Sequence, residues 1–123
     1  MSIHPNAMLL LTITPDGLAR QAMRAIRAEH PVVDDKEIVD DDEIMIGALP
    51  YKSMVMESTF DEDYQISGEE GDLIFWQFLT YGAGEQIDWE TLVAQHAVLD
   101  AWAQDICARH HGTYRISISA NYW

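Results

Sequence analysis

From Tyr114 to Tyr122 the chain alternates: Tyr114, Ile116, Ile118, Ala120 and Tyr122 fall on one side, Arg115, Ser117, Ser119 and Asn121 on the other. A period of two predicts a half-buried strand. Met8–Thr14 is instead a continuous leucine and β-branched run, which predicts a strand buried on both faces. Asp72–Tyr81 contains Leu73-Ile74-Phe75-Trp76-Gln77-Phe78-Leu79 and reads as a central strand, although so short an apolar run also suits a helix. Glu43–Leu49 and Ser53–Thr59 read as strands around a turn at Pro50-Tyr51-Lys52. Their methionines and alanines are indifferent strand formers.

Two segments show helical spacing. Thr14-Pro15-Asp16 has the form of a helix start, with a threonine cap, a proline and an acid in the first turn. Leu18, Ala22, Ala25 and Ile26 then line one face as far as Glu29, with Arg20, Arg24 and Arg27 on another and Pro31 closing the segment. Asp88 caps a longer helix to about His110, whose apolar stripe is Trp89, Leu92, Val93, His96, Leu99, Ala103, Ile106 and Cys107. Trp102 falls towards the edge of that stripe. Gly112 stands where a left-handed C-cap belongs.

The resulting order, β-α-β-(β)-β-α-β, resembles the ferredoxin-like split βαβ arrangement. The resemblance implies a single α+β domain over residues 1–123, with an antiparallel sheet and two helices on one face. It places the two most apolar strands in the centre and the second main strand on an edge. It implies no function.

At 123 residues and 48% hydrophobic content the chain can build a core without disulfide or metal staples. Its one cysteine, Cys107, lies on the helix stripe and reads as a structural thiol in a reducing compartment. The apolar run Met8–Leu11 is too short for a signal-peptide core or a membrane span, so a cytoplasmic setting is expected, in the producing cell or a phage-infected host.

Charge changes this plain picture. Twenty-one acids face seven lysines and arginines, a net −14. Residues 34–72 hold fourteen of those acids against Lys36 and Lys52, while residues 1–33 carry a net +1. A halophilic or solubilising surface spreads its charge over every exposed face. Clustering points instead to a directed field and a basic partner. The clusters are Asp34, Asp35, Glu37, Asp40, Asp41, Asp42 and Glu43; then Asp61, Glu62 and Asp63; then Glu69, Glu70 and Asp72. The last two flank Tyr64-Gln65-Ile66-Ser67-Gly68, a loop or strand tip.

Motifs for catalysis are missing. Gly82-Ala83-Gly84 lacks the spacing and the lysine of a phosphate loop. No serine stands in a nucleophile elbow. Cys107 near His110 and His111 sits at a helix C-terminus, which disfavours a thiolate. His4 and His30 belong to no ligand spacing, and His96 reads as a core or boundary residue. Calcium frames starting at Asp61 and Asp63 put Ile66 at the glycine position and Ile74 at the bidentate glutamate position. Neither a cofactor nor a metal is implied. The arginine stripe of residues 20–27 is too small to hold nucleic acid against the overall charge, and suits pairing with the chain's own acids or with solvent.

These residues suggest a non-enzymatic inhibitor or decoy. Its carboxylates would occupy a lysine- and arginine-rich nucleic-acid groove, since duplex DNA offers one charge per roughly 1.7 Å of axis. Trp76, on a sheet face without helices, and the terminal Trp123 would anchor the contact. A phage counter-defence protein (an anti-CRISPR or anti-restriction DNA mimic) and an immunity protein against a basic nuclease toxin both fit. Homodimerisation through the same face is a further expectation. A small enzyme or ligand-binding domain is the competing class, with a pocket lined by Trp76, Tyr81 or histidines.

Overall fold

The computed structural model describes residues 5–30, 43–80, 84–110 and 112–122. Strand β1 (Pro5–Pro15) leads to helix α1 (Ala19–Glu29), then β2 (Glu43–Ile46) and β3 (Leu49–Val55). The short strands β4 (Phe60–Asp61) and β5 (Ile66–Ser67) follow, then β6 (Leu73–Thr80), α2 (Trp89–His110) and β7 (Gly112–Tyr122). Five strands make one antiparallel sheet in the order β2-β3-β6-β1-β7, and β4 and β5 form a separate hairpin. The molecule is therefore mixed α+β with two helices. It is richer in strands than a ferredoxin-like arrangement, and the ferredoxin-like split is not confirmed.

The turn between β2 and β3 lies earlier than expected. Gly47 adopts φ +64, so Gly47-Ala48 makes a two-residue hairpin with Ile46 opposite Leu49. Glycine at the first central position is what such hairpins require. Pro50, Tyr51 and Lys52 then belong to β3 rather than to a turn. A Cβ on Gly47 would also meet Val98 Cγ1 at 2.7 Å.

The start of α1 differs too. β1 runs through Pro15, and Leu18 is the N-cap residue, without a side-chain cap bond. Thr14 instead donates its hydroxyl to Asp72 Oδ1 at 2.8 Å. By contrast, Asp88 caps α2 as read: its Oδ2 accepts from the Thr91 N–H and hydroxyl, both at 3.1 Å.

The sheet buries residues on both faces. On one, Leu9, Leu11, Ile13, Ile44, Ile46, Tyr51, Leu73 and Phe75 meet Met23 and Ile26 of α1 and Leu99, Ala103 and Ile106 of α2. Both helices thus share that face. On the other, Met8, Leu10, Ile74 and Trp76 meet Met56 and Ile66. Full burial of a side chain of this size contributes about 1.5–3 kcal/mol, so both layers matter to stability.

Two tryptophans exchange their expected places. Trp102 packs edge-on against Phe75 and His30, with centroids 5.2 and 5.3 Å apart. Trp89, expected in the core, is 73% exposed, and His96 is exposed as well. The stripe is continuous in sequence, but the sheet underlies mainly the part of it from Leu99 onwards. Among the described residues no helix is long and apolar enough to cross a membrane.

Candidate functional site

Between Met56 and Asp72 the acidic segment forms a compact hairpin. Its two ends meet: the Met56 N–H donates to the Asp72 carbonyl at 2.9 Å, and the Gly71 N–H to the Met56 carbonyl at 2.9 Å. Inside this neck, the Gly68 N–H donates to the Thr59 carbonyl at 3.1 Å, and β4 and β5 pair Phe60 with Ser67 and Asp61 with Ile66. The hairpin turns through Gln65 at φ +56, and Asp61 Oδ1 accepts from the Tyr64 N–H at 2.8 Å. An aspartate braced on backbone in this way is a usual means of fixing a tight turn.

The segment folds down as a cover over the helix-free face. Met56 and Ile66 are buried against Met8, Leu10, Ile74 and Trp76, and the Tyr64 ring lies 4.8 Å from that of Trp76. This corrects the place of Trp76. At 1% exposure it is the floor beneath the cover and offers no surface to a partner. A pocket lined by Trp76 on an open sheet face is corrected with it, because the 56–72 segment closes that face.

Asp72 is corrected as well. It is 3% exposed, and its two oxygens accept from the Thr14 hydroxyl and, at 3.0 Å, from the Glu69 N–H. It fastens the neck of the cover rather than facing outwards. A buried carboxylate without such donors would cost several kcal/mol, which explains why both oxygens are engaged.

The remaining described acids of the predicted clusters share one side of the sheet. Glu62, Asp63, Glu69 and Glu70 are exposed on the cover, and Asp61 is half-buried there. Glu43 joins them from β2. Ile44 and Ile46 point to the helices, so the alternation of a strand sends Glu43 to the cover's side. Asp34, Asp35, Glu37, Asp40, Asp41, Asp42 and Trp123 lie outside the described residues, as do His4, His111 and Tyr81.

Cations are few on that side. Lys52, opposite Glu43 across the β2–β3 pair, has its ammonium 3.9 Å from that carboxylate. Arg115 lines an end cleft of about 500 Å³ with Glu69, Glu70, Thr12 and Thr14. Arg20 pairs with Glu57 at 3.2 Å with both side chains 79% exposed, so the pair adds little to stability. Arg27 donates to the Ser53 hydroxyl and carbonyl, both at 3.0 Å. Among the described residues no ion pair joins Asp61, Glu62, Asp63, Glu69 or Glu70 to a cation. Arg115 beside Glu69 and Glu70, and Glu57 as the partner of Arg20, were not singled out from sequence; the two-residue alternation of β7 was the available signal for Arg115.

A second ionisable cluster ties the helix ends together. Glu29, at the end of α1, pairs with Arg109 of α2, and Arg109 also reaches Asp105 at 3.0 Å. Nε2 of His30 and of His110 lie 3.9 and 3.8 Å from the same Glu29 carboxylate. The hydrogen bond from Arg109 holds the Glu29 carboxyl below its ordinary value of 4.5, and Glu29 raises Arg109 in return. Cations at helix C-termini also suit the helix dipole. Half-buried Cys107 has its thiol pushed up by desolvation, which keeps it protonated rather than nucleophilic. The Tyr114 hydroxyl is likewise raised, chiefly because it donates to Asp100 at 2.6 Å.

Among the described residues no three His, Cys, Asp or Glu side chains are grouped to hold a metal ion. No protein-family model, no curated protein and no solved structure matches the chain.

Proposed function

We propose that this chain is an acidic decoy: a non-enzymatic protein that occupies the basic, nucleic-acid-binding surface of a nuclease or of a CRISPR or restriction effector. One observation carries the reading. Glu43, Asp61, Glu62, Asp63, Glu69 and Glu70 stand on the same side of one sheet, five of them on a cover rooted in the core. An array of carboxylates on a fixed scaffold loses little conformational freedom on binding, and its field speeds association with a basic groove. Neutralisation of a basic nuclease toxin by an immunity protein uses the same surface and the same chemistry.

The fold reading that goes with this is a ferredoxin-like sheet enlarged at one edge. Without β2 the strand order is β3-β6-β1-β7, with β6 lying between the two strands that flank α1 in sequence and β1 between the two that α2 joins.

The test is capture from a lysate at low and high salt, followed by nuclease assays on what is retained. A basic nuclease or effector should bind at low salt, leave at high salt, and be inhibited by the pure chain. Reversing Asp61, Glu62 and Asp63 together to lysine should cut capture at least about tenfold, since each close charge pair across such an interface contributes more than about 1.4 kcal/mol. The circular dichroism of that variant should match the parent. Unchanged capture by the reversed variant, or retention of no basic protein at low salt, refutes the proposal.

A further inference from the structure

We propose that the outer edge of β7 is the contact between two copies of this chain, paired antiparallel about a two-fold axis. β7 ends the sheet, and among the described residues no strand pairs with its far side. It is 11 residues long, and its register against β1 is unbroken from Pro5–Tyr122 to Pro15–Gly112. It contains no proline and no carboxylate, and Arg115 is its single charged residue. Sheet edges of this length normally carry a bulge, a proline or several charges that deter pairing. This one carries none of the first two and one charge.

The neighbouring surface is an unfinished piece of core. A groove of about 500 Å³ has Leu9 and Ile116 in its lining, with Trp89, Val93, His96 and Ile118. Trp89, Val93 and Ile118 are 73%, 49% and 55% exposed. Trp89, Val93 and His96 follow i, i+4, i+7 spacing on the stripe that Leu99, Ala103 and Ile106 continue into the interior. The groove is thus the end of the helix–sheet layer that one copy leaves open.

Charge selects a second copy as the occupant. Two chains of net −14 repel each other, and the acid-bearing side opposes any close approach. Along β7 there is no carboxylate, so copies meet there with least repulsion, and a basic partner gains nothing from it. An isologous antiparallel pair also satisfies the same row of N–H and C=O groups on both copies. Centred on Ser117, it sets Arg115 opposite Ser119 of the other copy rather than against the other Arg115. A stable dimer covers about 1,600 Å² in total, and two Trp89 rings closing the paired grooves supply about 300–500 Å² of that. A two-fold perpendicular to the sheet keeps all four helices on one face and turns both acidic covers the same way.

Sedimentation and light scattering over a concentration series test the pairing. The full chain should show a dimer whose fraction rises with salt, because screening relieves the repulsion. Ile118→Glu should weaken association at least about tenfold, as it sets a carboxylate against the apolar Ile116 of the other copy, and should expose the outward-pointing amides of residues 113–120 to hydrogen exchange. Trp89→Ala, on the exposed end of α2, should weaken association without touching the strand, and decides the matter if Ile118→Glu fails to fold. A monomer at every concentration and salt overturns the proposal, as does a dimer that neither variant moves. Capture of a basic partner weakens with salt whereas this contact strengthens, so the two readings fail separately.

Discussion

The two edges of the main sheet are built on opposite plans. β2 is four residues long, begins with Glu43, and follows Asp40-Asp41-Asp42 in the chain. β7 is 11 residues long, with one charge and an apolar groove at its side. Short length and carboxylates are protection enough for the first edge, while the second has neither. The charge of this chain is therefore placed rather than merely abundant. It stands on the short edge and is sparse along the long one, where we propose that a second copy pairs.

Substitutions that move charge between these regions sharpen the contrast most. Ile66 is fully buried on the underside of the acidic cover. Ile66→Asp should cost about 3–5 kcal/mol, since it strands an unpaired carboxylate in the interior. Ile118→Asp, on the exposed β7 side, should cost the monomer only about 1 kcal/mol, chiefly lost strand propensity. Urea unfolding of dilute protein measures both. Equal costs would mean that the cover is not packed on the core as described.

Gly47 probes the guarded edge. Gly47→Ala should destabilise by about 1–2 kcal/mol, because φ +64 is unfavourable for alanine and the new Cβ meets Val98. The loss should appear as faster amide exchange in residues 43–52, with β7 unaffected. Uniform exchange across both edges would break the distinction between them.

The smallest effect belongs to the cluster distant from either edge. Glu29 is depressed in the folded state, so its contribution is present above the unfolded carboxyl value near 4.5 and is lost as pH falls through the lower folded one. Glu29→Gln should therefore lower stability slightly at neutral pH and flatten the decline below pH 4.5. Urea midpoints at neutral and acid pH check this, and an unchanged acid limb would remove Glu29 from the account.

Much of the framework is legible in the sequence. The alternation of 114–122, the apolar runs around Leu10 and Phe75, and the Asp88 cap all correspond to observed elements, because they depend on local periodicity and on one side chain bonding to nearby backbone. The turn at Gly47 is legible in principle, but Pro50, three residues later, is the stronger turn signal in the sequence. The cover was harder to foresee. Strands of two residues carry no period, and the neck depends on a bond between Thr14 and Asp72, 58 positions apart. For the candidate site, the clustering of acids was visible from composition alone, whereas the inward role of Asp72 was not.

Sequence by itself determined which residues fall on a common face and where the charge is concentrated, since both are properties of neighbours along the chain. Tertiary structure decided which faces are covered: Trp76 under the 56–72 segment, Trp102 against Phe75, and Trp89 left at the rim. Periodicity specifies the direction in which a side chain points from its own helix or strand. Whether anything lies in that direction depends on how far a distant segment extends, and packing sets that distance.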